Sequence, residues 1–210
     1  MRTPESWPAQ PEAALCWLTT RLAEARRSGQ PGGFDRPLPG RVLREAAVLV
    51  PLVWHPQGPT VLLTRRTDAL PTHAGQVSFP GGKIDPTDDG PVAAALRETR
   101  EEIGLAEDCV QVAGEMAPYV TLTGFRITPV VGLLLPPLAL SAEPGEVADI
   151  FEVALDHVVD LAAYRQHVYE REGVTGHYYS LPHARHFIWG ATAAMLRQLA
   201  AVLHAPQASS

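Results

Sequence analysis

Residues 81–105 read Gly-Gly-Lys-Ile-Asp-Pro-Thr-Asp-Asp-Gly-Pro-Val-Ala-Ala-Ala-Leu-Arg-Glu-Thr-Arg-Glu-Glu-Ile-Gly-Leu. The pattern is a loop, then a helix, then a stop. Asp89 or Gly90 stands at the N-cap position, and Pro91 in the first turn, where a missing N–H costs little. Gly104 stands where a helix ends in a left-handed residue. Val92, Leu96, Thr99 and Ile103 recur at steps of four, three and four, and define a core-facing side. Glu98, Glu101 and Glu102 lie on another face, with Glu98 beside both of the others. Like charges at this spacing destabilise a helix by about 0.2–0.5 kcal/mol per pair. Arg97, four residues before Glu101, offsets part of that, and a divalent cation offsets far more. Oxygen ligands without Cys or His in the helix point to Mg²⁺ or Mn²⁺ rather than zinc. A solvated acidic face is the competing reading. Gly81 and Gly82, which let backbone approach a ligand closely, weigh toward the site.

The chain around this stretch is an ordinary globular one. At 210 residues, 46% apolar and 19% charged, it can bury a full core. The net charge of −6 argues against a nucleic-acid backbone as partner. Cys16 and Cys109 lie far apart without metal-ligand spacing, so two reduced thiols are expected. No apolar run approaches the ~20 residues of a membrane span. The start lacks a basic-then-apolar signal pattern, and a cytoplasmic location is expected. Residues 11–27 predict a helix with Leu15, Leu18, Leu22 and Trp17 as its apolar stripe. Residues 28–40 read as a Gly/Pro linker and 207–210 as a frayed tail. Residues 1–40 thus precede a domain expected over 41–205.

Residues 97–105 resemble the second half of the box of the Nudix hydrolases, G-x5-E-x7-R-E-U-x-E-E-x-G-U with U aliphatic. They match at every position except Thr99, which replaces the aliphatic residue. Counting back from Arg97, the box glutamate falls on Asp89 and the box glycine on Lys83 instead of Gly82, so the loop is one residue longer. Residues 62–82 look like the upstream signature of the coenzyme A pyrophosphatase branch, roughly L-L-T-x-R-S-x3-R-x3-G-x3-F-P-G-G. Leu62, Leu63, Thr64, Arg66, Gly75, Phe79, Pro80, Gly81 and Gly82 match, Thr67 stands for Ser, and Pro71 stands for Arg. Residues 119–125 and the Trp-Gly-Ala-Thr-Ala run from Trp189 resemble the same branch.

The rest of the pattern is coarse. Residues 46–54 are a strand broken by Pro51, which suggests an edge or a bulge. Residues 55–59 are a turn and 61–64 the returning strand. Strands are expected at 110–116 and 127–135, with a polar-aromatic loop between them, and a further strand after 147–151. A hairpin around Gly173 is expected over 164–180, then a helix over 191–203.

The resemblance implies an α/β/α sandwich with a mixed β-sheet and a metal-dependent diphosphate hydrolase. It implies Glu98, Glu101, Glu102 and the Gly82 carbonyl as ligands of Mg²⁺ or Mn²⁺, with Glu101 also a candidate base. A late-loop carboxylate, Glu146 first and Glu152 second, is expected as a further ligand or base. Arg65 and Arg66 follow a strand and offer forks suited to phosphate, Arg66 alone falling on the signature. Gly75, Phe79, Gly81 and Tyr119 complete the expected substrate contacts; Tyr119 and Phe125 read equally as packing aromatics, and His73 as a loop residue. The implied substrate is coenzyme A. The alternatives are another nucleoside diphosphate such as ADP-ribose, or a sensing module that does not cut. A monomer and a homodimer both remain open.

Overall fold

The computed structural model describes residues 7–29, 42–171 and 174–204, and leaves the side chains of Arg171 and Val174 undescribed. Most of the expected linker, the hairpin tip at Gly173 and the tail at 207–210 lie outside the described residues. Four helices are described: α1 (Pro11–Arg27), α2 (Gly90–Ile103), α3 (Leu155–Val159) and α4 (Gly190–His204).

The strands are β1 (Arg44–His55), β2 (Gly58–Arg66), β3 (Val77–Ser78), β4 (Gly81–Lys83), β5 (Gln111–Glu115), β6 (Tyr119–Val120), β7 (Phe125–Leu134), β8 (Val147–Ala154), β9 (Arg165–Arg171), β10 (Val174–Pro182) and β11 (Phe187–Trp189). The first eight form one sheet with the path β3-β2-β1-β7-β5, and the last three a second, antiparallel sheet. β1 runs parallel to β7 and antiparallel to β2, so the large sheet is mixed.

β1 alternates between two cores, as a period of two requires. Ala47, Leu49 and Val53 pack with Ala94, Ala95 and Ile103 of α2. Val48, Val50, Leu52 and Trp54 pack toward Leu18 and Leu22 of α1 and Leu196 and Leu199 of α4. Helices therefore cover both faces of the sheet, as expected. On α2, Thr99 and Ile103 are buried as the spacing predicts, whereas Val92 and Leu96 are half-buried and Ala94 and Ala95 carry the closest contact. Small residues there let the helix lie close to the strands.

Pro51 overturns one expectation, because it lies in a central strand and not at an edge. β1 and β2 pair only from Leu52↔Val61 to His55↔Gly58 and then diverge. Residues 77–83 fill the fork: β3 pairs with Thr64 and Arg65, and β4 with Ala46, Ala47 and Val48. The Leu49 N–H points into the fork and donates to the Pro80 carbonyl at 2.9 Å. Two residues on, Pro51 faces the same side, where neither partner reaches. Its missing N–H leaves no ladder bond open. The fork also fixes where Gly81 and Gly82 sit.

α3, β3, β4 and β11 escape the sequence pattern because each is too short to show a period. The loop expected over 119–125 begins with β6, which extends the sheet beside β7. The helix expected over 191–203 begins one residue earlier and runs one residue longer.

Candidate active site

α2 ends at Gly104, whose φ is 69°, with its N–H bonded to the Arg100 carbonyl. Asp89 holds the N-cap position but makes no side-chain cap bond. Its neighbour Asp88 does the holding. The Arg97 guanidinium donates Nε to Asp88 Oδ1 and Nη2 to Asp88 Oδ2, both at 2.9 Å. Asp88, and not Asp89, thus ties the loop to the helix. The spacing Gly82-x5-Asp88 is then the ordinary one, and the extra residue lies between Asp88 and Arg97. Arg97 also donates to Glu98 at 2.9 Å, to Glu101 at 3.4 Å and to the Lys83 carbonyl at 3.2 Å. These hydrogen bonds hold the Asp88 carboxyl down at about 2 and push the Arg97 pKa up.

Glu102 points into the fork and is 3% exposed. The Gly81 N–H donates to its Oε2 at 3.1 Å, and Arg66 Nη1 lies 3.6 Å from its Oε1. Burial outweighs both and pushes the Glu102 carboxyl up to about 7; Glu146 and Glu98 push the same way. Glu98 is also raised, first by burial, with Arg97 opposing and Glu101 and Glu146 assisting. Glu98 presses against the loop, since a side chain built on Gly82 would meet its carboxylate at 2.5 Å. Gly81 has φ 149° and backs onto the β1 backbone at Ala47 and Val48. Any side chain at either glycine disturbs the site, though by different routes.

Glu146 reaches the same place from far along the chain. The Ser141 N–H donates to the Ile103 carbonyl at 2.9 Å and the Glu143 N–H to the Glu102 carbonyl at 2.8 Å. The Glu146 N–H then donates to Glu143, and the Thr67 N–H to the Glu146 carbonyl. This ladder docks residues 141–146 on the end of α2. It places the Glu146 charge within the field of Glu98 and Glu102.

The structure therefore brings together Gly81, Gly82, Glu98, Glu101, Glu102, Arg66 and Glu146. Other expected residues go elsewhere. Arg65 is clamped by Asp68, Nη2 meeting both carboxylate oxygens at 2.7 Å. Gly75 makes room for that clamp: its φ is 66°, and a side chain there would strike Asp68 Oδ1 at 2.6 Å. Phe79 and Tyr119 are 2% and 4% exposed in the core on the opposite face of the sheet from α2. Apolar burial takes both rings away from the carboxylates. Phe125 lies under the Arg44 guanidinium at 4.0 Å. Glu152 accepts from Thr60 and meets His55 at 2.7 Å, on the half of β2 away from Arg66. Sequence reasoning missed Asp88, although its six-residue step from Gly82 was there to be counted.

Residues 43–171 match the NUDIX domain family. A Photorhabdus laumondii protein, named uncharacterized Nudix hydrolase NudL, is 46% identical over 157 residues, covering 75% of this chain and 83% of that one. A Yersinia pestis protein of the same name is 43% identical over 157 residues, covering 75% and 78%. The crystal structure of DR0079 from Deinococcus radiodurans is similar in fold, with a TM-score of 0.50 at 15% identity over 78% of this chain and 88% of that one. The acidic helix lying against a double-glycine strand in a mixed sheet thus has its relatives, and this chain belongs to the Nudix family of hydrolases.

Proposed function

We propose that this chain hydrolyses the diphosphate of coenzyme A, and of its oxidised or acyl forms, to 4′-phosphopantetheine and adenosine 3′,5′-bisphosphate. The observation that carries the reading is Arg66. Its Nε is buried without a hydrogen-bond partner among the described residues, and its one ion pair, to Glu102, is 3.6 Å long. A half-buried guanidinium whose Nε lacks a partner and whose one long ion pair leaves donors to spare suits an oxyanion, and a phosphate fits its fork. Arg66 is also the arginine of the 62–82 signature that resembles the coenzyme A branch.

The family uses divalent metal ions, and the residues here suit one. Glu98, Glu102 and the Gly82 carbonyl are hard oxygen donors, which favour Mg²⁺ or Mn²⁺. Among the described residues, no three His, Cys, Asp or Glu side chains gather into a closed cage. Mg²⁺ needs none, since it is commonly held by one or two carboxylates, with waters and substrate phosphates filling its shell. When bound, the ion supplies neutralising charge for the phosphate oxygens and acidifies a water. Arg66 orients the diphosphate through its fork. Glu146 takes the proton of the attacking water, and Glu101, the more exposed of the helix carboxylates, is a further ion holder.

Purified protein is incubated with Mg²⁺ and either coenzyme A or ADP-ribose, and the products are resolved by chromatography. Release of 4′-phosphopantetheine from coenzyme A supports the reading. Cleavage of ADP-ribose with coenzyme A untouched overturns it.

A further inference from the structure

At one end of the large sheet the described residues form a cavity of about 380 Å³. It lies among α1, α4 and the first residues of β1 and β7, with Pro91 of the first turn of α2 on one side. Ligand pockets commonly run from about 300 to 1,000 Å³, so a substrate fragment fits here. The cavity borders the candidate active site along β1. Ala47 pairs with Gly82, Ala46 pairs with Lys83, and the Glu45 carbonyl accepts from the Ile84 N–H at 3.1 Å. Glu45 lines the cavity. Its wall therefore begins at the residue next but one to Ala47, roughly 7 Å along the strand.

The lining is amphipathic. Leu22 and Ala25 of α1, Met116 and Val202 of α4 supply apolar wall. Two polar side chains on the wall are not satisfied by the protein. Thr128 is 6% exposed, and its hydroxyl has no hydrogen-bond partner among the described residues. Gln198 donates from Nε2 to the Ala117 carbonyl at 2.8 Å, which leaves its Oε1 buried and without a partner among the same residues. Buried polar groups are normally paired, so an open hydroxyl and an open amide oxygen on a cavity wall call for a ligand with polar groups of its own. The charges sum to nothing. The cations Arg26 and Arg126 face the carboxylates Glu45 and Glu115 in equal number, and Arg126 pairs with Glu45 at 3.6 Å. A lining without excess positive charge gives a phosphate no reason to enter.

This inference rests on the coenzyme A reading above. Cleavage divides that substrate into an adenosine half, which carries a further phosphate, and a pantetheine half, whose arm is uncharged and alternates amides with short methylene stretches. The balanced lining disfavours the first half and the mixed wall suits the second. We infer that this cavity is the subsite for the pantetheine arm, with an amide N–H reaching Gln198 Oε1, an amide carbonyl accepting from the Thr128 hydroxyl, and the methylenes lying on Leu22, Ala25, Met116 and Val202. The arm leaves the diphosphate at Gly82 and follows β1 to Glu45.

The test is product inhibition of coenzyme A hydrolysis by 4′-phosphopantetheine and by adenosine 3′,5′-bisphosphate, in the wild-type chain, Thr128→Val and Ala25→Leu. Valine keeps the shape of threonine and removes the hydroxyl; leucine at 25 fills part of the cavity. Melting curves check that both variants fold, and the near-isosteric Thr128→Val serves alone if the larger change does not. The inhibition constant of 4′-phosphopantetheine is expected to rise roughly three- to tenfold in Thr128→Val, the worth of one hydrogen bond, and further in Ala25→Leu. That of adenosine 3′,5′-bisphosphate is expected to stay as in wild type. A rise for the adenosine product alone places the nucleoside half in the cavity and overturns the inference. Equal rises for both products mean that the cavity only supports the site, and no rise for either means that it is not a subsite; each overturns it too. A wild-type chain that leaves coenzyme A uncut refutes the substrate reading itself, before any variant is made, and the subsite falls with it.

Discussion

Consider Glu102→Gln in protein stripped of divalent ions. Burial raises the Glu102 carboxyl from 4.5 to about 7 in the folded chain. The folded state therefore holds this proton more tightly than the unfolded state does. The stability linked to the group is intact below pH 4.5 and is lost as pH rises toward 7. The gap between the two values, at about 1.4 kcal/mol per pH unit, amounts to roughly 3 kcal/mol at pH 8. Glutamine keeps the shape and can still accept from the Gly81 N–H, but it carries no charge. At pH 5 the variant and wild type should melt within a few degrees of each other. At pH 8 the variant should melt higher, by up to roughly 10 °C for a chain of this size. Saturating Mg²⁺ should raise the wild-type melting temperature and leave the variant's nearly unchanged. Calorimetry in chelator from pH 5 to 8 measures this. Parallel melting profiles for the two proteins across that range would refute the idea that Glu102 is a buried, strained carboxylate waiting for a cation.

Three further substitutions separate fold from chemistry. Gly82→Ala pushes a methyl against the far end of the flexible Glu98 side chain; the melting temperature should barely move while turnover falls by at least about a hundredfold, as for any displaced catalytic ligand. Asp88→Asn releases Arg97 to pair more fully with Glu98 and Glu101; the Mg²⁺ concentration for half-maximal activity should rise about tenfold or more. Unchanged metal dependence would show that the Asp88 clamp does not orient the carboxylates. Arg66→Lys keeps the charge but loses the planar fork, and should raise KM about tenfold while leaving kcat closer to wild type; a KM equal to wild type would remove Arg66 from phosphate binding.

Local chemistry was the readable part of the sequence. The period of α2, its stop at Gly104 and the shared face of Glu98 and Glu102 follow from steps of three and four, which tertiary context did not override. The alternation of β1 was hidden, because from residue 46 to 54 both faces are buried and every position is apolar. Pro51 misled because an edge strand and a fork between diverging strands leave the same gap in hydrogen bonding. The substrate contacts assigned to Phe79 and Tyr119 came from position in a signature, and a signature does not say which face of the sheet a ring takes. Arg65 and Arg66 are adjacent in sequence and opposite in fate: a register shift in the β2–β8 pairing falls between them, one turning to Asp68 and the other to Glu102. Long-range hydrogen bonds, such as those docking residues 141–146 on α2, leave no local trace at all.

In the proposed mechanism one turn of carboxylates beside Gly82 collects the cation that makes hydrolysis run. Crystals soaked with Mn²⁺ and examined by anomalous diffraction test it directly. Density is expected between Glu98, Glu102 and the Gly82 carbonyl. Bare carboxylates in crystals that still cleave substrate would contradict it.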